Sequence, residues 1–444
     1  MEHKMSFSDL RVAFLTLGCK VNQYETDAMK ENMEKAGAII TDFHDPADIY
    51  IINTCSVTNV ADKKSRQMLH RAKRKNPDAV IAAAGCYVQS AAEELEKDEL
   101  VDIIIGNNKK KEIVSIIARY LEEHKKTIDL IDINHTDEFE EMGVSHIEGH
   151  TRAYIKVQDG CNQFCTYCII PYARGRIRSR NMDEVLKEVT KLVDQGVKEF
   201  VLTGIHLSSY GAGIDGLDLL TLIKNIAAIK GVMRIRLGSL EPGIITDEFV
   251  SEIVKIKELC PHFHLSLQSA CDATLKRMNR KYTIAEYMDK CSLLRKYYEH
   301  PAITTDVIVG FPGETEEEFE ITRKNLESLN LYEIHVFKYS RRKGTIADQM
   351  PNQIPEQKKA ARSNILLEMT KRQKKAFEEK MLFTTEEVLL EEMVEADGTI
   401  YFTGHTKNYV KTGVKGTHLE ANQLVKATFA AFSDRDFIVA DACE

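Results

Sequence analysis

The segment DGCNQFCTYCIIP sets Cys161, Cys165 and Cys168 at a C-x3-C-x2-C spacing, three thiolates within eight residues. Structural zinc normally takes four Cys or His ligands, commonly in pairs, and no fourth ligand stands nearby. Three thiolates suit a [4Fe–4S] cluster with one open iron, which can chelate the amino and carboxylate groups of a small molecule. Three further cysteines, Cys19, Cys55 and Cys86, each follow directly on an apolar run: RVAFLTLG, DIYIINT and AVIAAAG. If these runs are strands of one parallel sheet, their carboxyl ends share an edge, and thiols far apart in sequence converge there. A second metal cluster is the expectation. Cys260, Cys271, Cys291 and Cys443 have no partners at ligand spacing and read as structural.

The elements that must hold these residues are legible in outline. Over residues 9–121, apolar runs alternate with helical patterns, predicting a doubly wound α/β domain. Residues 125–150 lack sustained periodicity and read as a linker. Over 147–377, runs such as YIKVQD, EFVLTGI, MRIRLGS, FHLSLQS, TTDVIVGF and YEIHVFKYS alternate with helices. That pattern predicts an α/β barrel or partial (TIM-like) barrel, with its chemistry at the carboxyl ends of the strands. Thr315 followed by Glu318 predicts a helix cap. Residues 355–380 read as a charged connecting helix, and 379–444 as short strands around turns such as Asp397-Gly398, a small all-β barrel of the oligonucleotide-binding (OB-like) type. The fold class is thus multidomain α/β with a C-terminal β-barrel.

Composition narrows the setting. The 444 residues carry a net charge of −8, which argues against a generally basic nucleic-acid coat. Basic residues are nevertheless clustered: seven Lys or Arg in 63–75, four Arg in RGRIRSR (174–180), and KRQKK at 371–375. Clustered positive charge is what phosphate binding requires. No apolar run approaches the roughly 20 residues that span a bilayer, and the N-terminal segment does not resemble a signal peptide. A cytoplasmic location is expected, and there ten cysteines are more naturally metal ligands or catalytic thiols than disulfides.

The cysteine loop resembles that of the radical S-adenosylmethionine (SAM) superfamily. More narrowly, TLGCKVNQYET, INTCSVT, AAGC, DGCNQFCTYCIIPYARGR, LTGIHLSSYG, HLSLQSACDATLKRMNRKYT, TTDVIVGFPGETEEEF and GHTKNY resemble, in order, the methylthiotransferases and their C-terminal TRAM domain. The resemblance implies that Cys161, Cys165 and Cys168 hold the SAM-binding cluster, and that Cys19, Cys55 and Cys86 hold an auxiliary [4Fe–4S] cluster that supplies or carries sulfur. It also implies two uses of SAM, one as methyl donor to the sulfur and one as source of a 5′-deoxyadenosyl radical that takes hydrogen from adenine C2. A radical route is chemically reasonable for a C–H bond with no acidic proton at neutral pH. An external electron donor is then required, and the sulfur source stays open. Candidate SAM contacts are Tyr167 in the cysteine loop and, at strand ends, Thr203, Gly204, Ser239, Glu241, Gln268, Ser269 and the Gly310–Glu314 turn.

Family members act on isopentenyl-adenosine or threonylcarbamoyl-adenosine in tRNA, or on an aspartate of a ribosomal protein. The segment YARGRIRSR is similar to that of the threonylcarbamoyl-type enzymes, and Arg176 or Arg178 could bind the threonyl carboxylate as a bidentate pair. The expected partner is a tRNA anticodon stem-loop modified at adenosine 37, held by the basic helix at 63–75, KRQKK and the β-barrel. Tyr401, Phe402 and Tyr409 are candidate base stackers. A non-catalytic iron–sulfur RNA-binding protein is the alternative from another class.

Overall fold

The computed structural model describes residues 7–146, 151–396, 398–416 and 418–443. The N-terminal domain is a six-stranded parallel sheet in the order β2-β1-β3-β4-β5-β6. Its strands are β1 (Arg11–Thr16), β2 (Ile39–Thr41), β3 (Ile49–Thr54), β4 (Val80–Gly85), β5 (Ile103–Ile105) and β6 (Thr127–Asp129). β3 and β5 are buried throughout their length, as a parallel strand covered on both faces must be. The chain runs outward from β1 to β2 and then crosses back to β3, so β1 and β3 flank the topological switch point where such sheets bind ligands. β6 lies inside the stretch read as linker, and Glu140, Met142 and Val144 beyond it are buried. The segment 125–146 thus belongs to this domain; its weak periodicity reflects an edge strand of three residues and an irregular covering strap. Residues 147–150, where the second domain was expected to begin, lie outside the described residues. After β4 the anticipated helix is two pieces of five residues each, Cys86–Ser90 and Ala92–Glu96.

The central domain carries β7 (Arg152–Asp159), β9 (Glu199–Gly204), β10 (Arg234–Leu237), β11 (His262–His264), β12 (Ala302–Val309) and β13 (Glu333–Lys338) in parallel succession, with β8 (Arg178–Ser179) antiparallel to β7. Bridges Ile235↔Leu259 and Leu240↔Leu265 join the two half-sheets into an open, partial barrel. Helices wrap its outside over one continuous apolar core that includes Ile155, Leu202, Ile235, Phe263 and Val307. Thr315 and Glu318 form the expected capping box on the helix Glu316–Leu329. The 24-residue helix Glu356–Glu379 covers the barrel's last strand: Thr370 Oγ1 accepts from Ile334 N at 2.8 Å, satisfying a donor on an otherwise open edge.

The C-terminal barrel closes in the order β14-β15-β16-β18-β17, from β14 (Thr385–Ala396), β15 (Thr399–Thr406), β16 (Lys411–Lys415), β17 (Leu424–Phe432) and β18 (Ile438–Ala442). The β16–β18 pairing is parallel and the others antiparallel, which is the five-stranded OB arrangement. The β14–β15 register ends at Ala396↔Thr399, as the hairpin requires, although Asp397 of the expected turn lies outside the described residues. This barrel docks on the amino ends of the central strands. Arg234 donates to the His405 and Glu387 carbonyls at 2.8 and 2.7 Å, and Arg236 to the Lys407 carbonyl at 2.9 Å. Among the described residues no helix is long and apolar enough to cross a membrane.

Candidate functional site

The C-x3-C-x2-C loop leaves β7 through Gly160, whose φ of 71° and contact with Arg176 O exclude any side chain: a Cβ there would lie 1.8 Å from that oxygen. Cys161 N donates to Gly175 O (3.0 Å), Cys168 N to Cys165 O (2.9 Å) and Thr166 N to Met278 O (3.1 Å), so the loop is tied at its start, middle and end. Asn279 Nδ2 holds the Phe164 carbonyl at 3.0 Å. Arg280 Nη1 donates to Cys165 Sγ at 3.2 Å. Burial pushes the Cys161 thiol up to about 11 and the Cys168 thiol to about 12, and the neighbouring sulfurs add to it. Such thiols stay neutral at pH 7 unless a metal displaces their protons.

The second triad is assembled by topology. Cys19 and Cys55 follow β1 and β3 on either side of the switch point, and Cys86 follows β4. Gly18 (φ 102°) lets the Cys55 side chain approach so closely that a Cβ would sit 2.8 Å from its Sγ. Asn22 donates to the Leu17 and Thr54 carbonyls at 2.7 and 2.9 Å, pinning the β1 and β3 exits together. Cys19 is exposed, although desolvation by the surrounding protein raises its thiol; burial takes Cys55 to about 11. Arg174, from the segment after Cys168, donates through Nε to Cys86 Sγ at 3.1 Å.

Among the described residues no three His, Cys, Asp or Glu side chains converge as ligands of one metal ion. Each set of three thiols lies within electrostatic reach of itself, and thiolates are the ligands that iron–sulfur clusters take, one cysteine to each iron.

The strand-end candidates divide. Glu241 faces the cluster loop: its carboxylate accepts from Arg280 at 2.9 Å and lies 3.3 Å from His206 Nε2. Burial opposes its charge, but these two partners hold the carboxyl below the usual range. Thr203 is buried at the end of β9, and Gly204 leaves room for Gln158, whose Oε1 accepts from His206 N at 2.7 Å. Ser239 is exposed. Gln268 takes φ 73° where its backbone bridges to β12. Tyr167 packs edge-on to Phe311 with ring centroids 6.4 Å apart. Ser269 and Gly310 are engaged within the protein. Ser269 is buried and turned away, its hydroxyl near Thr322 Oγ1 (3.4 Å) and Cys271 N (3.3 Å). Gly310 packs on Lys359, and its N–H is taken by Glu314 at 2.5 Å, with Arg362 on the same carboxylate, so the turn serves helix docking.

The expected substrate contacts also differ in how far their groups are already engaged. Arg178 is buried, with Nη1 and Nη2 donating to the Arg176 and Arg174 carbonyls at 3.0 and 2.9 Å, while its Nε has no hydrogen-bond partner. Tyr409 plugs the amino end of the barrel. It stacks on His405 (4.4 Å) and His262 (5.0 Å), lies under Arg236, and accepts from Arg152 at 2.9 Å, so neither ring face is open to a base. Phe402 packs into the OB core, and Tyr401 lies against Phe437. Arg176 alone of the RGRIRSR arginines is partly exposed; its guanidinium lies over Phe164 at 4.7 Å, and Nη1 has no hydrogen-bond partner. Sequence reading passed over Arg280 and Arg174. Arg174 sat in a patch read as phosphate-facing, and nothing local marks it as the arginine that turns inward.

A thiol triad at the mouth of an open six-stranded α/β barrel, with an arginine–glutamate pair beside it, defines a radical SAM enzyme. The radical SAM superfamily profile matches residues 155–326, and that of Uncharacterized protein family UPF0004 matches residues 11–106. The structure resembles the radical SAM methyltransferase TsrM from Kitasatospora setae at TM-score 0.55 and 14% identity, over 78% of this chain and 74% of that one, a likeness of fold alone. In sequence, the chain is 42% identical to threonylcarbamoyladenosine tRNA methylthiotransferase MtaB of Bacillus subtilis (strain 168), over 94% of this chain and 92% of the relative. Its identity to the protein of that name from Aquifex aeolicus (strain VF5) is 41%, over 84% and 90%. It is 36% identical to tRNA-2-methylthio-N(6)-dimethylallyladenosine synthase of Acetivibrio thermocellus, over 88% and 82%. The chain belongs to the radical SAM methylthiotransferase family, and membership implies SAM and a [4Fe–4S] cluster.

Proposed function

We propose that this enzyme converts N6-threonylcarbamoyladenosine at position 37 of tRNA to its 2-methylthio derivative, in the cytoplasm. The observation that carries the reading is the contact between Arg174 and Cys86, which sets a second thiol triad directly beside the loop of the first. An enzyme that generates a radical and also delivers sulfur needs two such sites within one substrate's reach. Cys161, Cys165 and Cys168 would hold the SAM-binding cluster, and Cys19, Cys55 and Cys86 the auxiliary one. When bound, the clusters and SAM supply reductive radical generation and a methylated sulfur. The chain's part is to orient and exclude. Glu241, fixed by Arg280 and His206, offers a carboxylate to the SAM amino group, with Tyr167, Thr203, Gly204, Ser239 and Gln268 as neighbouring contacts. Arg176, partly exposed and held over Phe164, offers a cation to the threonyl carboxylate, which an isopentenyl substrate lacks. Lys63, Lys64, Arg71 and Arg74 on the helix Asn59–Lys75 are exposed and available to the anticodon stem-loop, whose target base lies in a single strand.

The test is anaerobic turnover with SAM, sulfide and a reductant on stem-loops carrying threonylcarbamoyl- or isopentenyl-adenosine. Methylthiolation of the first and not the second supports the assignment; the reverse preference sinks the substrate while leaving the enzyme class intact. Arg176→Ala is expected to weaken turnover of the threonylcarbamoyl substrate by about 10-fold or more, the loss of a charge-assisted pair. Equal loss of binding on an unmodified stem-loop would assign Arg176 to phosphate.

A further inference from the structure

The interface between the two thiol triads is an ionic network with almost no solvent contact. At its centre is Arg174, fully buried. Its Nη1 donates to Glu25 Oε1 at 2.8 Å and to both Asp159 oxygens at 3.1 Å; its Nη2 donates to Asn22 Oδ1 at 2.6 Å and Glu25 Oε2 at 3.1 Å; its Nε donates to Cys86 Sγ at 3.1 Å. Lys110 and Lys156 complete the set around Glu25 at 2.6 and 2.7 Å. Asn107 leans on the same Cys86 sulfur at 3.7 Å and also holds the Ala173 carbonyl at 2.7 Å.

The provenance of these groups is informative. Arg174 comes six residues after Cys168, on the core's own cluster loop, and Asp159 lies two residues before Cys161. Asn22 and Glu25 come from the helix that starts at Lys20, next to Cys19. One guanidinium therefore touches the approaches to both triads and a sulfur ligand of one of them. Burying so many charges costs more than an apolar interface of the same size would. Stability alone does not call for a guanidinium aimed at a thiol sulfur, whereas hydrogen bonds and positive charge at cysteine sulfur are the levers by which a protein raises the reduction potential of an iron–sulfur cluster.

We propose that Arg174 is a positioning residue through which the radical core tunes the auxiliary cluster: its bond to Cys86 raises that cluster's potential and holds the sulfur-bearing site in register with the radical site. This rests on the reading that Cys19, Cys55 and Cys86 hold a cluster. Glu25 is the internal contrast. It belongs to the same interface but touches no sulfur, and its negative charge acts on the cluster in the opposite sense.

The experiment uses the full chain with Cys161, Cys165 and Cys168 changed to Ala, so that bound iron reports the auxiliary site alone, and follows the midpoint potential by electron paramagnetic resonance. Arg174→Met is expected to lower the potential, Arg174→Lys to lower it less, and Glu25→Gln to raise it or leave it unchanged. With the core triad intact, both Arg174 variants should still cleave SAM but release several-fold more 5′-deoxyadenosine per methylthio product. Unchanged potentials in both Arg174 variants, or a shift of Glu25→Gln in the same direction as Arg174→Met, would overturn the proposal and leave Arg174 a structural residue. Should the Met variant fail to fold, the Lys variant, which keeps the charge, decides alone. If the triple-Ala parent binds no iron, the auxiliary-cluster reading fails first, and Arg174 with it.

Discussion

The two thiol triads are assembled by opposite constructions. Cys161, Cys165 and Cys168 lie within one loop whose turns, glycine φ and backbone bonds are local, so the site forms with the loop. Cys19, Cys55 and Cys86 span 68 residues from first to last and meet only because β1, β3 and β4 are adjacent and parallel. A local triad is as robust as its loop. A topological one is hostage to the sheet register and to the neighbours, Asn22 and Arg174, that tie its corners.

That difference can be probed from the largest effect downward. Cys161→Ala is expected to abolish both SAM cleavage and methylthiolation, whereas Cys55→Ala should abolish only methylthiolation and leave 5′-deoxyadenosine release, both measured by product chromatography under reduction. Loss of both activities in Cys55→Ala would erase the division of labour. Next come the glycines that make room for the sulfurs. Gly160→Ala forces a Cβ against a backbone oxygen at positive φ and should cost about 3 kcal/mol. Gly18→Ala, also at positive φ, meets Cys55 Cβ and Sγ at 2.8 Å and Asn22 Nδ2 at 3.4 Å, but no backbone atom, and should cost less, about 2 kcal/mol. Thermal unfolding gives the order, and iron analysis should show each variant losing the cluster nearest to it.

Arg280→Met removes the bond to Cys165 and one of the two partners of Glu241. A charge-assisted bond of about 1.5–3 kcal/mol predicts SAM binding weaker by about 10- to 100-fold in a calorimetric titration. At the opposite end of the barrel, burial opposes the charge of Glu199, yet Arg236, Arg152 and Arg234 hold its carboxyl at about 2 instead of the ordinary 4.5. The folded pKa is depressed, so the stabilisation is present above about 4.5 and is lost as pH falls towards 2. Glu199→Gln should flatten the melting-temperature profile across that window; an unchanged acid slope would refute the coupling. The smallest effect is Tyr409→Phe, which deletes the Arg152 bond alone: about 1 kcal/mol of stability and no change in tRNA affinity. A fall in affinity would restore the stacking role.

Legibility followed the same division. The C-x3-C-x2-C loop could be read from spacing, and the second triad from strand ends, because apolar runs followed by Cys expose a sheet edge even without its order. The order itself, which makes β1 and β3 neighbours across the switch point, is a tertiary choice that no local run encodes. The same holds for the arginines. RGRIRSR reads as one cationic patch, yet Arg174 and Arg180 turn inward to carboxylates from outside the segment, Arg178 turns to the Arg174 and Arg176 carbonyls within it, and Arg176 alone is partly exposed. Tyr409 is a related case: an aromatic on an OB barrel suggests stacking on bases, and only the docking of the two barrels shows its ring packed on His262 and His405.

The most direct test of the whole account is nucleoside mass spectrometry on tRNA from cells lacking this gene, with the wild-type chain or Cys55→Ala restored. The account predicts that 2-methylthio-N6-threonylcarbamoyladenosine disappears, that its unthiolated precursor accumulates, and that only the wild-type chain reverses both. A profile unchanged by deletion, or restored equally by Cys55→Ala, would contradict it.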